Sequence, residues 1–385
     1  MDWELPDELK LLQETVRAFV ERELIPIEMS VPDREELPAE ILAPLQEKAK
    51  ALGLWMIDVP EELGGAGLGL LARAVIGEEV ARTVALPFRG NPLFGPHLSP
   101  ILLACNEDQR ERYVYPLLRG ELRACFAQTE ADAGTDPSAM RTRARRDGDE
   151  WVIVGTKRFI TLAHRSDFAT VLAVTDPEAQ RGRTISCFLV DLASPGVRLL
   201  RPQPTMMGDA PWEIAFDEVR VPAANLVGEQ GGGFALGQRF LTVGRVLGHG
   251  AHPLGVAQRA LELAIDYAKT RVTFGQPLSE RQAIQFMIAD SAIEIHAARL
   301  MVHRCACRYD QGLDTRDESY MVKIACSEMV NRVVDRAIQI HGSIGLTTEL
   351  PLERWFRQMR SIRITEGATE VMRWRLARNL IRARP

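Results

Sequence analysis

Leu9, Leu12, Val16, Phe19 and Val20 recur at helical spacing and give the start of the chain one apolar face. Pro26 and Pro32 break that pattern. A second helical run is predicted over about 38–52, ended by Gly53, with further helix over about 70–83 and 107–118. Between them Val59-Pro60-Glu61-Glu62-Leu63-Gly64-Gly65-Ala66-Gly67 reads as a turn-rich loop. The period then changes. Trp151–Val154, Ala169–Val174, Thr184–Val190 and Trp212–Phe216 are short β-prone runs separated by Asp, Gly and Pro turns. Such runs at short spacing predict a small antiparallel sheet or barrel, not βαβ units. From about 230 the helical period returns in three stripes. These are Val256/Leu261/Ala264/Ile265/Ala268, Ile284/Ile288/Ala292/Ile295 and Val322/Ala325/Met329/Val333/Ile340, the last closed by Gly342. A last helix is predicted over 370–382. Long helices with short connections predict a four-helix bundle. The fold class expected is therefore multidomain α+β. Residues 1–122 form an N-terminal helical domain, 123–228 a middle antiparallel β-barrel-like domain, and 229–385 a C-terminal four-helix bundle.

Composition narrows the function. A chain of 385 residues that is 46% apolar builds a large core and is not a disordered or disulfide-framework sequence. A net charge of −5 excludes the basic excess of a nucleic-acid binder and gives no reason to dock on an anionic membrane. No stretch approaches the roughly 18 consecutive apolar residues of a membrane helix. Cys105, Cys125, Cys187, Cys305, Cys307 and Cys326 are scattered without a CxxC pair, the usage of reduced thiols in a cytoplasmic protein.

Several familiar chemistries fail on their motifs. Gly64-Gly65-Ala66-Gly67-Leu68-Gly69 and Gly231-Gly232-Gly233 do not match GxGxxG in register, and neither opens a helix after a predicted strand; they read as tight turns. His249 and His252 are the closest histidine pair, but no carboxylate or Cys completes a metal set, so no metal is expected. There is no GxSxG elbow.

Four segments remain. They are Phe126-Ala127-Gln128-Thr129-Glu130-Ala131-Asp132-Ala133-Gly134-Thr135-Asp136, Gly155-Thr156-Lys157-Arg158-Phe159-Ile160-Thr161 and Arg271-Val272-Thr273-Phe274-Gly275-Gln276-Pro277. The fourth is Gln339-Ile340-His341-Gly342-Ser343-Ile344-Gly345, followed by Ile364-Thr365-Glu366-Gly367-Ala368-Thr369-Glu370. Singly, each has a structural explanation as strand, helix end or helix N-terminal acid. In this order and at these separations, together with the Pro60–Gly65 loop, they resemble the acyl-CoA dehydrogenase family over nearly the whole chain.

The resemblance implies FAD held between domains and across the interface of a homotetramer, a dimer of dimers. It places FAD against Phe126, Gln128, Thr129, Gly134, Thr135, Phe159 and Thr161 of the middle domain. It also places FAD against Arg271, Phe274, Gln339, Gly342, Ser343, Ala368 and Glu370 of the C-terminal one. The backbone of 126–129 and the Thr129 hydroxyl would meet the polar edge of the flavin, and Thr161 would lie near N5. Phe159 stands where the family commonly has Trp and still supplies a flat apolar face. Thr135 replaces a usual Ser and keeps the hydroxyl. Arg271 matches an Arg that reaches the pyrophosphate of the neighbouring subunit's FAD, and Phe274 an adjacent aromatic contact. Ser343 stands where a second Gly is frequent. Thr135, Arg245 and Gly367 are implied in acyl-CoA binding.

Glu366 is the implied catalytic base. The reaction removes a weakly acidic α-proton from a thioester while hydride leaves the β carbon, and a carboxylate raised by burial can take that proton. The backbone N–H of the base helps polarise the thioester oxygen. The family's Glu-Gly-Thr motif reads Glu366-Gly367-Ala368 here. Some members carry the base immediately before the Arg that matches Arg245, and here that position is Gly244. Against the family's spacing, the interval from Arg245 to Gly255 runs about one residue longer. The expected product is a 2,3-enoyl-CoA and the expected acceptor an electron-transfer flavoprotein. Two alternatives stand beside this reading. One is a nitroalkane oxidase-like or monooxygenase chemistry on the same fold; the other is a non-catalytic scaffold, against which Thr129, Thr161, Arg271 and Glu366 argue.

Overall fold

The computed structural model describes residues 4–31, 36–180 and 182–383; Pro32 lies outside them. The helices are α1 (Asp7–Phe19), α2 (Ala39–Ala51), α3 (Leu70–Val80), α4 (Glu107–Gln109), α5 (Tyr115–Leu118), α6 (Gly233–Val246), α7 (His252–Thr270), α8 (Gln282–Asp310), α9 (Arg316–His341), α10 (Leu352–Ser361) and α11 (Thr369–Arg382). The strands are β1 (Ala124–Ala127), β2 (Arg143–Asp147), β3 (Glu150–Ile160), β4 (Phe168–Val174), β5 (Ile185–Asp191), β6 (Val197–Pro202), β7 (Trp212–Pro222), β8 (Leu226–Val227), β9 (Val272–Thr273) and β10 (Gln276–Pro277). They divide into two compact units. A helical unit gathers Met1–Ile41, Leu68–Phe88 and Thr242–Pro385; a sheet unit gathers Leu42–Gly67 and Arg89–Leu241.

In the helical unit, α1 buries Val16 and Phe19 from the predicted stripe. The chain continues through a π turn before Pro26 tightens it into a 3-10 turn, Ile25–Ile27. The three C-terminal stripes become α7, α8 and α9. Ala257, Ala260, Ala264 and Ala268 are small, so α7 packs closely against α9, whose Val322, Cys326, Met329 and Val333 share its core. α7 also touches backbone on α3: a Cβ on Gly255 would stand 1.9 Å from the Glu78 carbonyl oxygen.

α3 starts after Gly69, which has no side chain to cap its first turn. The cap is distant. The Asp310 carboxylate, at the end of α8, accepts the N–H groups of Leu70 (2.6 Å) and Leu71 (2.9 Å). Asp310→Ala orphans both donors, so we expect a loss of about 1–2 kcal/mol. A urea midpoint equal to wild type would show that water replaces the cap without cost.

The sheet runs β6-β7-β3-β2-β4-β5-β8, with β1 also on β4. It was expected to be antiparallel, and most of its pairings are. β1 and β2, however, both run parallel to β4. The register explains this: β1 pairs with Phe168–Val171 and β2 meets Val174, so the two follow one another along a single edge of β4. Residues 128–142 are an excursion between two halves of that edge. β4 and β5 are mostly apolar and buried along nearly their whole length because both faces are covered. Phe168, Leu172, Cys187 and Leu189 face one core with Tyr113, Val114 and Leu117; Ala169, Val171, Phe188 and Val190 face the other with Trp151, Ile153 and Phe216. β3 continues to Ile160, so the Gly155–Thr161 segment begins as strand.

All six cysteines are free and all but Cys307 are buried. Among the described residues, no helix is long and apolar enough to cross a membrane, and no cluster of His, Cys, Asp or Glu is arranged to hold a metal ion.

Candidate active site

In the helical unit, Glu366 sits on the short ribbon between α10 and α11. Its backbone is left-handed, at φ 54°, and Gly367 follows at φ 103°. A side chain at 367 would meet both that strain and Met372, whose Cε lies 2.3 Å from an added Cβ. Two buried cations hold the ribbon by its carbonyls. The Arg245 guanidinium donates to the Glu366 oxygen through Nε (3.2 Å) and Nη2 (3.1 Å). Lys323 Nζ donates to the oxygens of Arg363 (3.0 Å) and Gly367 (2.6 Å). Arg245 stacks over the Tyr320 ring at 5.1 Å, and burial lowers its proton affinity. Its remaining nitrogen, Nη1, is buried with no hydrogen-bond partner. Gly244 leaves room for the carboxylate, since a Cβ there would lie 2.6 Å from Glu366 Oε2. Ala368 is the N-cap of α11 and makes no side-chain cap; Glu370 is exposed in the first turn.

The long interval from Arg245 to Gly255 contains a π turn, Leu247–Ala251, between α6 and α7. Such a turn is how a helix absorbs one extra residue.

Lys323 is fully buried. Burial first, then Arg245, bring its amine down from 10.5 to about 8. Below pH 8 it is charged both folded and unfolded, and the desolvation cost stands in full. Between pH 8 and 10.5 the unfolded chain keeps a proton that the folded one has released, so stability rises with pH, by up to about 1.4 kcal/mol per unit. Lys323→Met abolishes this increment. We therefore expect the wild-type minus variant stability difference, from urea unfolding, to grow over that window; parallel curves would refute the buried-amine account.

At the other end of α7, Arg271 leads into the β9–β10 hairpin. Phe274 and Gly275 form its turn, at φ 49° and 81°. Phe274 is 99% exposed, and Arg281 lies 5.9 Å from its ring. Tyr267 stacks on His341 at 4.6 Å, which brings this hairpin to the same end of the bundle as Gln339, Gly342 and Ser343, all exposed.

In the sheet unit, the excursion 128–142 is tied from behind. Lys157 Nζ donates to the Gln128 carbonyl (3.0 Å) and to Glu130 Oε1 (2.8 Å), and the Glu130 carboxylate accepts the N–H groups of Arg141 and Thr142. Arg158 N–H donates to the Thr129 carbonyl at 2.7 Å. The β3–β7 ladder bulges between Lys157 and Ile160. That bulge turns Phe159 left-handed, at φ 58°, and leaves it 51% exposed, with Gln203 accepting its N–H. Thr161 Oγ1 accepts from Arg89 at 3.3 Å, and Asp209 lies 3.6 Å from the same guanidinium. Phe126 is half-buried, its ring 4.8 Å from Phe240. Gln128 and Thr129 are partly exposed, and Gly134 and Thr135 lie exposed on the excursion.

The structure thus groups Phe126, Gln128, Thr129, Gly134, Thr135, Phe159 and Thr161 in the sheet unit. Arg245, Glu366, Gly367, Ala368 and Glu370 lie on or beside the ribbon; Arg271, Phe274, Gln339, Gly342 and Ser343 gather at the bundle end. The positioning residues Lys323, Arg89, Gln203, Lys157 and Glu130 were not singled out in sequence. The donor set suits a flavin. A half-exposed aromatic ring stands beside the backbone held at 128–129. The Thr161 hydroxyl accepts from Arg89 and so has its own proton to donate.

Comparison with known proteins agrees across the chain. Residues 6–121, 125–219 and 231–381 match the N-terminal, middle and C-terminal domains of acyl-CoA dehydrogenases. The human mitochondrial short-chain specific acyl-CoA dehydrogenase is 38% identical over 99% of this chain and 92% of its own. Butyryl-CoA dehydrogenase from Megasphaera elsdenii superposes with a TM-score of 0.85 at 30% identity, over 99% of this chain and 100% of that one. The FAD complex of PigA gives 0.87 at 26% identity, covering 99% of each.

Proposed function

This chain belongs to the acyl-CoA dehydrogenase family, and on that premise we propose that Glu366 is the base that draws the α-proton from its acyl-CoA thioester. The enzyme is an FAD-dependent oxidoreductase acting on a CH–CH bond. FAD, when bound, accepts the hydride that leaves the β carbon.

One observation carries the assignment of the base. Glu366 is held in a strained left-handed backbone by Arg245 on its own carbonyl, the kind of local cost that persists where it serves a function. With its carbonyl engaged by Arg245, the backbone of Glu366 is held, and its N–H would polarise the thioester oxygen. Arg245 Nη1 is a buried donor for a substrate group, and Gly367 lets the thioester approach the backbone. In the sheet unit, Phe159 supplies flat cover for FAD, Thr161 a hydroxyl donor, and the backbone of 126–129 a polar edge.

We further assign residues 1–122, 123–228 and 229–385 as the three functional domains, electron-transfer flavoprotein as the acceptor, and the cytoplasm as the compartment. The free cysteines suit a reducing environment. A homotetramer, dimer of dimers, is supported by the large apolar side chains left exposed on the helical unit, among them Phe286, Ile293, Leu346 and Trp374. In it, Arg271, Phe274, Gln339, Gly342 and Ser343 serve a neighbouring subunit's FAD.

The test is an anaerobic titration of the yellow protein with a panel of acyl-CoA thioesters. Bleaching of the flavin by a subset supports the assignment and defines the acyl group. Bleaching by nitroalkanes instead, or rapid reoxidation by oxygen, would overturn it in favour of an oxidase.

A further inference from the structure

His249 lies on the π turn Leu247–Ala251 and is 5% exposed. Its ring reaches two consecutive residues of the ribbon. Nε2 is 2.9 Å from Thr365 Oγ1, and Nδ1 is 3.4 Å from Glu366 Oε2. The turn that carries it has little freedom to shift. A Cβ on the next residue, Gly250, would already meet Val322 Cγ1 at 2.7 Å and Val302 Cγ2 at 3.1 Å, so the backbone there is packed against α9 and α8. Pro253 follows, inside the first turn of α7.

A carboxylate presents two oxygens and turns about its last bond with little resistance. A base must offer one oxygen to the α-proton along one line. Arg245 and Lys323 fix the backbone of the ribbon, but both act on carbonyls and leave that last torsion unrestrained. The imidazole, by contrast, contacts the carboxylate itself. With the Thr365 hydroxyl donating to Nε2, Nδ1–H faces Oε2. At 3.4 Å the two atoms are in contact without a formed hydrogen bond, and contacts of this kind in unliganded sites often tighten once substrate is bound.

We propose that His249 is a positioning residue for the base: it clamps Glu366 Oε2 and the neighbouring Thr365 hydroxyl together, and so selects the oxygen that takes the α-proton. The proposal rests on the reading of Glu366 as that base.

The experiment separates proton transfer from redox turnover. A 3-thia-acyl-CoA has sulfur at the β position, so it can lose an α-proton but no β-hydride. Washout of its α-deuterium into water, followed by mass spectrometry, reads the base alone. We expect His249→Ala to slow washout about 10–100-fold, with thioester binding and flavin content unchanged. His249→Gln, which restores a donor, should recover part of the rate, and His249→Leu, of similar bulk, should not. Wild-type washout in His249→Ala, or in His249→Leu if the alanine variant does not fold, overturns the proposal. Equal loss in the Gln and Leu variants also overturns it, since packing alone would then explain the effect. Glu366→Gln run alongside tells the two readings apart. If it still exchanges, the base assignment fails and the clamp with it; if it is dead while His249→Ala exchanges normally, only the clamp fails.

Discussion

Glu366→Gln folds with wild-type stability, keeps its flavin, and is reduced by acyl-CoA thioesters about 10²–10⁴-fold more slowly than wild type. Each part of that expectation has its own cause. Gln matches Glu in shape, so the space left by Gly244 is refilled without a clash. The ribbon keeps its course because its restraints fall on backbone: Arg245 on the carbonyl of 366, Lys323 on those of 363 and 367. What is lost is the basic oxygen. Stopped-flow absorbance under anaerobic conditions checks it. Reduction within a factor of two of wild type would place the base elsewhere. Loss of flavin from the variant would mean that the carboxylate serves the ribbon's structure.

The second large effect is in the sheet unit. Lys157→Met should destabilise it by about 3–5 kcal/mol, because it leaves the buried Glu130 carboxylate without its cation. Burial pushes the Glu130 carboxyl up, but Lys157 and the Thr142 and Arg141 amides outweigh burial and hold it below its usual range. Burial brings the Lys157 amine down to about 8, and its 2.8 Å approach to Glu130 Oε1 is that of an ion pair. The same amine carries the Gln128 carbonyl, so the 128–129 backbone loosens in the variant and bound flavin falls with stability. Adding Glu130→Gln removes the stranded charge and should recover part of the loss. Urea unfolding and the flavin-to-protein absorbance ratio read both. A single variant with the wild-type midpoint would show that water enters and solvates Glu130.

The two predictions rest on features of unequal legibility. Glu366 was singled out through the resemblance that several motifs in one order carry, and β-prone runs such as Ala169–Val174 marked strands, though not that both their faces are covered. Lys157 and Lys323 were not singled out, because lysine is read as solvated unless a buried partner is known. Their partners are a carboxylate 27 residues away and carbonyls 40 and 44 residues away. The parallel pairing of β1 and β2 with β4 was hidden for a related reason: alternation names the faces of a strand, not its neighbour or direction. An amphipathic stripe likewise does not name its partner. α1 and α3 belong to the helical unit, whereas α2 from Leu42 onward and the helical turns between Glu107 and Leu118 belong to the sheet unit. π turns leave no period of their own, so the reach of His249 was invisible until the turn at Leu247–Ala251 was seen.

The helical unit is assembled from three separate stretches, the last beginning at Thr242. On a ribosome that order matters. α1 and α3 can pack on one another as they emerge, but the side of α3 that meets α7 and α8 has no partner yet translated, and the amides of Leu70 and Leu71 wait for Asp310. At about 5–20 residues per second, the gap between Phe88 and Thr242 alone holds that side of α3 exposed for roughly 8–30 s. The sheet unit, whose later stretch is continuous from Arg89 to Leu241, emerges during that wait and has most of its own partners to hand. Nascent chains of this protein therefore pass through a stage in which the middle can be folded while the beginning is not. That beginning is the stretch a chaperone that binds apolar helices has the most time to hold.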